Sequence, residues 1–202
     1  MFGTNPRPSL IFLGAVALAG ALGTRQPEWW ALDLERAMHG EWWRFVTGHL
    51  VHLTWQHYLL DLLALGMVVA LCSMNRERFT ALLTVVLLSA GVVSLMLALF
   101  QPVQVYGGLS GITVGLVVFA ATGMCSRTDW LPGASILMLV ALKVVSEWHG
   151  VSASGVPPVW QAHCAGGLAG MLYALGGGGS SPVCAVVCSL GDGAHNLSGK
   201  CT

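Results

Sequence analysis

The sequence predicts an all-α polytopic membrane protein built as a bundle of six transmembrane helices. Three observations lead there. Of the 202 residues, 55% are hydrophobic and 9% charged, against about 25% charged in ordinary soluble domains. Mean hydropathy is +0.72, more apolar surface than a soluble chain of this size can hide. The apolar residues also gather into six runs, near 9–23, 48–72, 79–99, 108–124, 131–147 and 160–176. Formal net charge is zero and no basic block occurs, which leaves nucleic-acid binding without an electrostatic footprint.

The first run reads as a membrane anchor. No cleavage site follows it, and Trp29 and Trp30 suit the interfacial end of a retained helix. The polar connection after it carries Glu28, Asp33, Glu35 and Glu41 with Arg25, Arg36 and Arg44. The second run opens on GHLVHLTWQHYLLD, residues 48–61. There His57 and Asp61 stand at i and i+4 on one helix face, with His52 shortly before them. Polar side chains inside spans are rare and usually functional. This group fits an interfacial histidine collar, a metal site formed with His49, or the polar flank of a catalytic centre. The third run, between Asn75 and Pro102, is apolar except for a few hydroxyls.

The fourth run contains YGGLSGITVGL, residues 106–116. Gly107, Gly111 and Gly115 recur every fourth residue, a small-residue stripe that lets a second helix approach closely. Ser110 is either part of that packing stripe or a nucleophile. The fifth run has Pro132 at its start and carries Lys143 and Glu147 at i and i+4, an internal pair or one snorkelling to the interface. The sixth contains QAHCAGGLAG, residues 161–170, with His163 one turn before the second small stripe, Gly166 and Gly170. In a six-span topology the fourth and sixth runs point the same way. Ser110 and His163 then lie at similar depth, where a hydroxyl and an imidazole on closely packed helices form the nucleophile–base pair of acyl transfer.

Arg7, Arg76, Arg78, Arg127 and Lys200 fall on one side of this topology. The other side has Arg25, Arg36 and Arg44 in one loop and no Lys or Arg in the next two connections, a bias that favours cytoplasmic termini. Residues 1–176 form the membrane domain, and 177–202 read as a flexible tail rich in Gly and Ser. Cys72, Cys125 and Cys164 lie in or beside apolar runs, so no secreted disulfide framework is expected. In the tail, Cys184, Cys188, His195 and Cys201 fit no standard zinc spacing.

Together these pieces resemble the rhomboid family of intramembrane serine proteases. Gly108-Leu109-Ser110-Gly111 is similar to the family's GxSG motif, Ala162-His163 through Gly166 and Gly170 to its AHxxGxxxG motif, and Glu41-Trp42-Trp43-Arg44 to its first-loop WR element. The likeness covers roughly residues 40–175. It implies a rhomboid-like six-helix bundle and a serine endopeptidase acting through a Ser110–His163 dyad, since no third acid is evident near His163. The Ser110 N–H and His57 would stabilise the oxyanion, with Asp61, His52 and Gly108 in support, and neither metal nor organic cofactor is needed.

Within the family, the compact length, QAHCAGGLAG and Lys143…Glu147-Trp148 resemble the rhombosortase branch. That implies single-span substrates carrying C-terminal GlyGly-CTERM sorting tails, cut in the bacterial inner membrane toward the periplasmic side. The acyl-enzyme would be resolved by water or a lipid-derived amine. Two positions depart from the family pattern. Asp61 stands where an Asn is common, and is either a protonated donor or a partner of His57. Val114 stands where a Tyr or His ring is usual. The alternative function is a weak or inactive rhomboid-like protein that binds transmembrane segments.

Overall fold

Apolar runs with few charges become the long helices of the computed structural model, which describes residues 7–125 and 130–178. In chain order the elements are α1 (Arg7–Thr24), α2 (Pro27–Trp30), β1 (Leu32–Asp33), α3 (Leu34–Met38), α4 (Arg44–Thr47), α5 (Trp55–Met74), α6 (Phe79–Phe100), β2 (Val105–Tyr106), α7 (Ser110–Cys125), α8 (Leu131–Trp148) and α9 (Trp160–Leu175). Helices α1, α5, α6 and α8 are long and apolar enough to cross a membrane. Helices α7 and α9 have 16 residues each, about 24 Å at the α-helical rise against a hydrocarbon core of about 30 Å. The Cys-containing tail lies, from residue 179 onward, outside the described residues.

The second apolar run is helical only from Trp55, not from residue 48. Thr54 is extended (φ −140, ψ 152), and its hydroxyl accepts the His57 N–H, an N-cap that fixes the start of α5. Upstream, the Gly48 carbonyl accepts the Gly108 N–H at 3.0 Å. Residues 48–54 are therefore a non-helical connection, buried at Gly48, His49, Val51 and His52, laid against the segment that precedes α7.

The first loop is held from within. Arg44 is 1% exposed. Its guanidinium pairs with Glu41 at 2.5 Å and donates to the Ala31 carbonyl at 2.7 Å and the Glu28 carbonyl at 3.2 and 3.3 Å. The loop also supplies β1, which pairs antiparallel with β2 in the register Leu32↔Tyr106 and Asp33↔Val105. That pairing fixes the strand leading into α7.

Helix α7 is the centre of the bundle, packed against α5, α6, α8 and α9. Gly111 and Gly115 face α9 so closely that a Cβ on Gly166 would strike the Gly111 carbonyl, and one on Gly170 the Gly115 carbonyl. The ascending register, 111 to 166 and 115 to 170, means that α7 and α9 run in the same direction. A Cβ on Gly115 would also collide with the Ser89 hydroxyl of α6. Gly107 does not share this stripe. It precedes the helix, and a Cβ there would meet the Val51 carbonyl at 3.0 Å, because the chain is still extended through β2 when it passes residue 107. Helix α8 stands apart: Gly133 is its buried residue, while Met138, Leu139, Leu142 and Val145 face outward.

Gly166→Ala is expected to lower stability by about 1–3 kcal/mol through overpacking, because backbone carbonyls cannot swing aside as side chains can. Gly14→Ala in α1, where a Cβ meets nothing within 4 Å, is expected to be neutral or mildly stabilising. Denaturation of both variants in detergent checks the contrast.

Candidate active site

The loop before α7 carries Gly107, Gly108 and Leu109 past a buried polar cluster. Gly108 has φ +153, and a Cβ there would lie 2.9 Å from His57 Cε1 and 3.1 Å from its Nε2. Only glycine lets the chain pass under the His57 ring. The next residue, Leu109, donates its N–H to Asp61 Oδ2 at 2.9 Å. The same oxygen accepts from His52 Nε2 at 3.0 Å and stands 3.4 Å from His57 Nε2. A backbone N–H can only donate, so Oδ2 acts here as an acceptor. Asp61 thus pairs with His52 more closely than with His57 and ties the 48–54 connection, α5 and the chain entering Ser110 together.

His52 is fully buried, its ring edge-on to those of His57 (5.0 Å) and Tyr58 (5.4 Å). His49 does not join this cluster. Its Nε2 meets Ser94 Oγ of α6 at 2.8 Å, and Ser94 in turn donates to the Phe45 carbonyl at 3.0 Å. Burial pushes the His49 pKa down to about 4, so the ring is neutral and donates from Nε2. The ligand atoms of His52, His57 and Asp61 lie within 4.8 Å of one another, a grouping able to hold a metal ion, but His49 is not part of it.

Ser110 begins α7, and His163 lies in the first turn of α9. Both line a cavity of about 470 Å³ together with His57, Asp61, Tyr106 and Glu147. The close glycine contact places them: Gly111 follows Ser110, and a Cβ on Gly111 would meet the carbonyl of Ala162, the neighbour of His163, at 3.0 Å. Among the described contacts the Ser110 side chain interacts with the Tyr106 hydroxyl, which also donates to the Gly108 carbonyl at 3.1 Å. Burial, then the Asp61 charge, pushes the Tyr106 phenol up, so it stays a donor. The cavity is roofed by the segment after α8, which Gln56 Nε2 holds through the Ala153 carbonyl at 2.9 Å.

Two residues here were not assigned to the site from sequence. Tyr106 supplies a ring beside Ser110, whereas Val114 is buried and packs toward Gly167. Glu147 corrects the expectation that no acid stands near His163: one carboxylate oxygen bonds His163 Nδ1 and the other Lys143 Nζ. The signal was the Lys143–Glu147 spacing near the end of the fifth run, but nothing local shows which way the second oxygen points.

A model of the rhomboid domain matches residues 39–179, more than half of the chain. The chain belongs to the rhomboid family, whose members are intramembrane serine proteases. Comparison with curated proteins gave no match.

The neutral, buried His49 has a pH consequence. Its folded pKa of about 4 lies below the ordinary histidine value of 6.5, so protons bind the unfolded chain first. The resulting penalty is absent above about pH 6.5 and grows to about 3 kcal/mol as pH falls to 4. His49→Gln keeps a donor and is expected to flatten this acid limb in denaturation curves recorded between those pH values.

Proposed function

We propose that the protein is an intramembrane serine endopeptidase in which Ser110 is the nucleophile and His163 the general base. The observation that supports this reading is the shared cavity, lined by Ser110 and His163 from two helices in contact through Gly111 and Ala162. Ser110 Oγ attacks the scissile carbonyl while His163 Nε2 takes its proton. The carbon–nitrogen bond then breaks, and the leaving amine departs with that proton. The Ser110 N–H, at the start of α7 where helix N–H groups are unpaired, stabilises the oxyanion with His57. Water, or an amine, resolves the acyl-enzyme. Catalytic hydrogen bonds are often long before substrate arrives, which accommodates a Ser110 that rests against Tyr106.

In this reading α7 and α9 also cross the bilayer, giving six spans with both termini cytoplasmic, and the cavity opens toward the periplasmic side of a bacterial inner membrane. The substrates are rhombosortase-type: single-span proteins whose C-terminal tail begins with a glycine pair. Glycine costs a helix about 1 kcal/mol per residue, so such a pair unwinds readily and offers a bare carbonyl to Ser110. The apolar walls, with Leu53, Leu60, Val105 and Val156, suit the adjoining span.

A second reading, a protein that binds transmembrane segments without cutting them, draws on the Asp61 carboxylate. It faces the oxyanion region and already occupies the Leu109 N–H.

Co-expression with a substrate of glycine pair, span and basic end tests the assignment. Wild type is expected to cleave it, and Ser110→Ala and His163→Ala to lower cleavage by about 1,000-fold or more; unchanged cleavage in either variant overturns the pair. Fluorophosphonate labelling at Ser110 separates the two readings, since a pure binder leaves the probe unreacted.

A further inference from the structure

Resting on His163 as the base, we propose that Glu147 is a positioning residue that fixes the His163 tautomer, with Lys143 holding its carboxylate in place. Glu147 sits in the last turn of α8 and His163 in the first turn of α9. The two side chains are only 10% and 6% exposed, whereas that of Lys143 is 46% exposed. The simplest role for Glu147 would be to neutralise Lys143 on the surface of its own helix. One carboxylate oxygen suffices for that. The other turns inward, away from solvent, onto His163 Nδ1.

The chemistry of the donors decides what this contact does. An ionised carboxylate only accepts, so its partner Nδ1 must carry the proton. A neutral imidazole protonated at Nδ1 has its lone pair on Nε2, the atom that must take the Ser110 proton. Lys143 Nζ also approaches Nδ1, at 3.4 Å. As a pure donor it would favour the opposite tautomer, with Nε2 protonated and useless as a base. The Glu147 contact is the shorter of the two, and Lys143 is itself engaged by Glu147 Oε1. The carboxylate therefore both orders the ring and keeps the ammonium from reversing it. Once His163 accepts the serine proton, the same carboxylate stabilises the imidazolium without taking a proton.

The test uses the full-length protein in detergent or bilayers. Glu147→Leu is expected to lower kcat by about 100-fold or more, with KM within about twofold. Glu147→Asp should recover part of the loss, while Glu147→Gln, which can donate to Nδ1, should not. An arm independent of activity reads the tautomer: ¹⁵N-histidine NMR of Ser110→Ala should show His163 protonated at Nδ1, and adding Glu147→Leu should move it toward the Nε2-protonated form. Should Glu147→Leu strand Lys143 and fail to fold, the paired variant Lys143→Met, Glu147→Leu removes both charges and carries the same measurements. Unchanged kcat in an active enzyme, or an unchanged His163 tautomer, overturns the proposal. Should the wild type not cleave, the protease reading fails, while the tautomer shift still decides the role of Glu147.

Discussion

The carbonyls of Gly111 and Gly115 lie against the bare Cα atoms of Gly166 and Gly170, and the geometry of the site follows from that contact. In lipid, helices gain little from burying apolar surface against each other, so close backbone approach becomes a main source of association. Weak Cα–H···O contacts add to it. At such a short interaxial distance, residues at the same end of two parallel helices must be neighbours. Ser110 and His163 are flanking residues of this contact, one step from Gly111 and from Ala162. Ser89 of α6 closes the third side, its hydroxyl within 3.5 Å of the Gly166 carbonyl. Packing and site geometry are thus not alternative explanations of the small-residue stripe; the stripe brings the segments that carry Ser110 and His163 into contact.

A second constraint acts at the mouth of the bundle, where the backbone is irregular and buried polar groups need partners. Asp61 Oδ2 serves three of them: the Leu109 N–H, His52 and, more distantly, His57. Irregular backbone at depth is tolerated only where protein satisfies it, and this single carboxylate does much of that for the chain just before Ser110. An asparagine oxygen could stand in the same place, but without the negative charge that makes the carboxylate the stronger acceptor for the imidazole N–H groups. The aspartate therefore goes with a histidine-rich neighbourhood. Arg44 plays the corresponding part in the first loop, far from the cavity, by gathering the Glu28 and Ala31 carbonyls.

The long helices were legible because composition and breakers suffice to place them: five of the six apolar runs match helices to within one or two residues at each end. The second did not, since residues 48–54 are as apolar as a helix and only the Thr54 cap excludes them. Gly107 continued the fourfold spacing of Gly111 and Gly115, yet spacing says nothing about where helical geometry begins. His49 and His52 looked like one cluster with His57. They diverge because a non-helical connection lets neighbouring rings point to different helices, His49 to Ser94 and His52 to Asp61. Glu147 was visible as half of an ion pair, but its second partner belongs to another helix, and no local pattern encodes that contact.

The place of α8 in the bundle gives the Glu147 contact a second meaning. Apolar burial does little to hold this helix, since most of its long side chains face outward. Near its start it is fastened by Gly133, where a Cβ would come within 2.6 Å of the Ala121 carbonyl of α7. Near its end it is fastened by Lys143 and Glu147 reaching His163. A polar clasp of this kind is worth more where water is scarce and competing partners are few, and it sits where α8 meets α9 beside the cavity. The same carboxylate thus joins a peripheral helix to α9 beside the cavity.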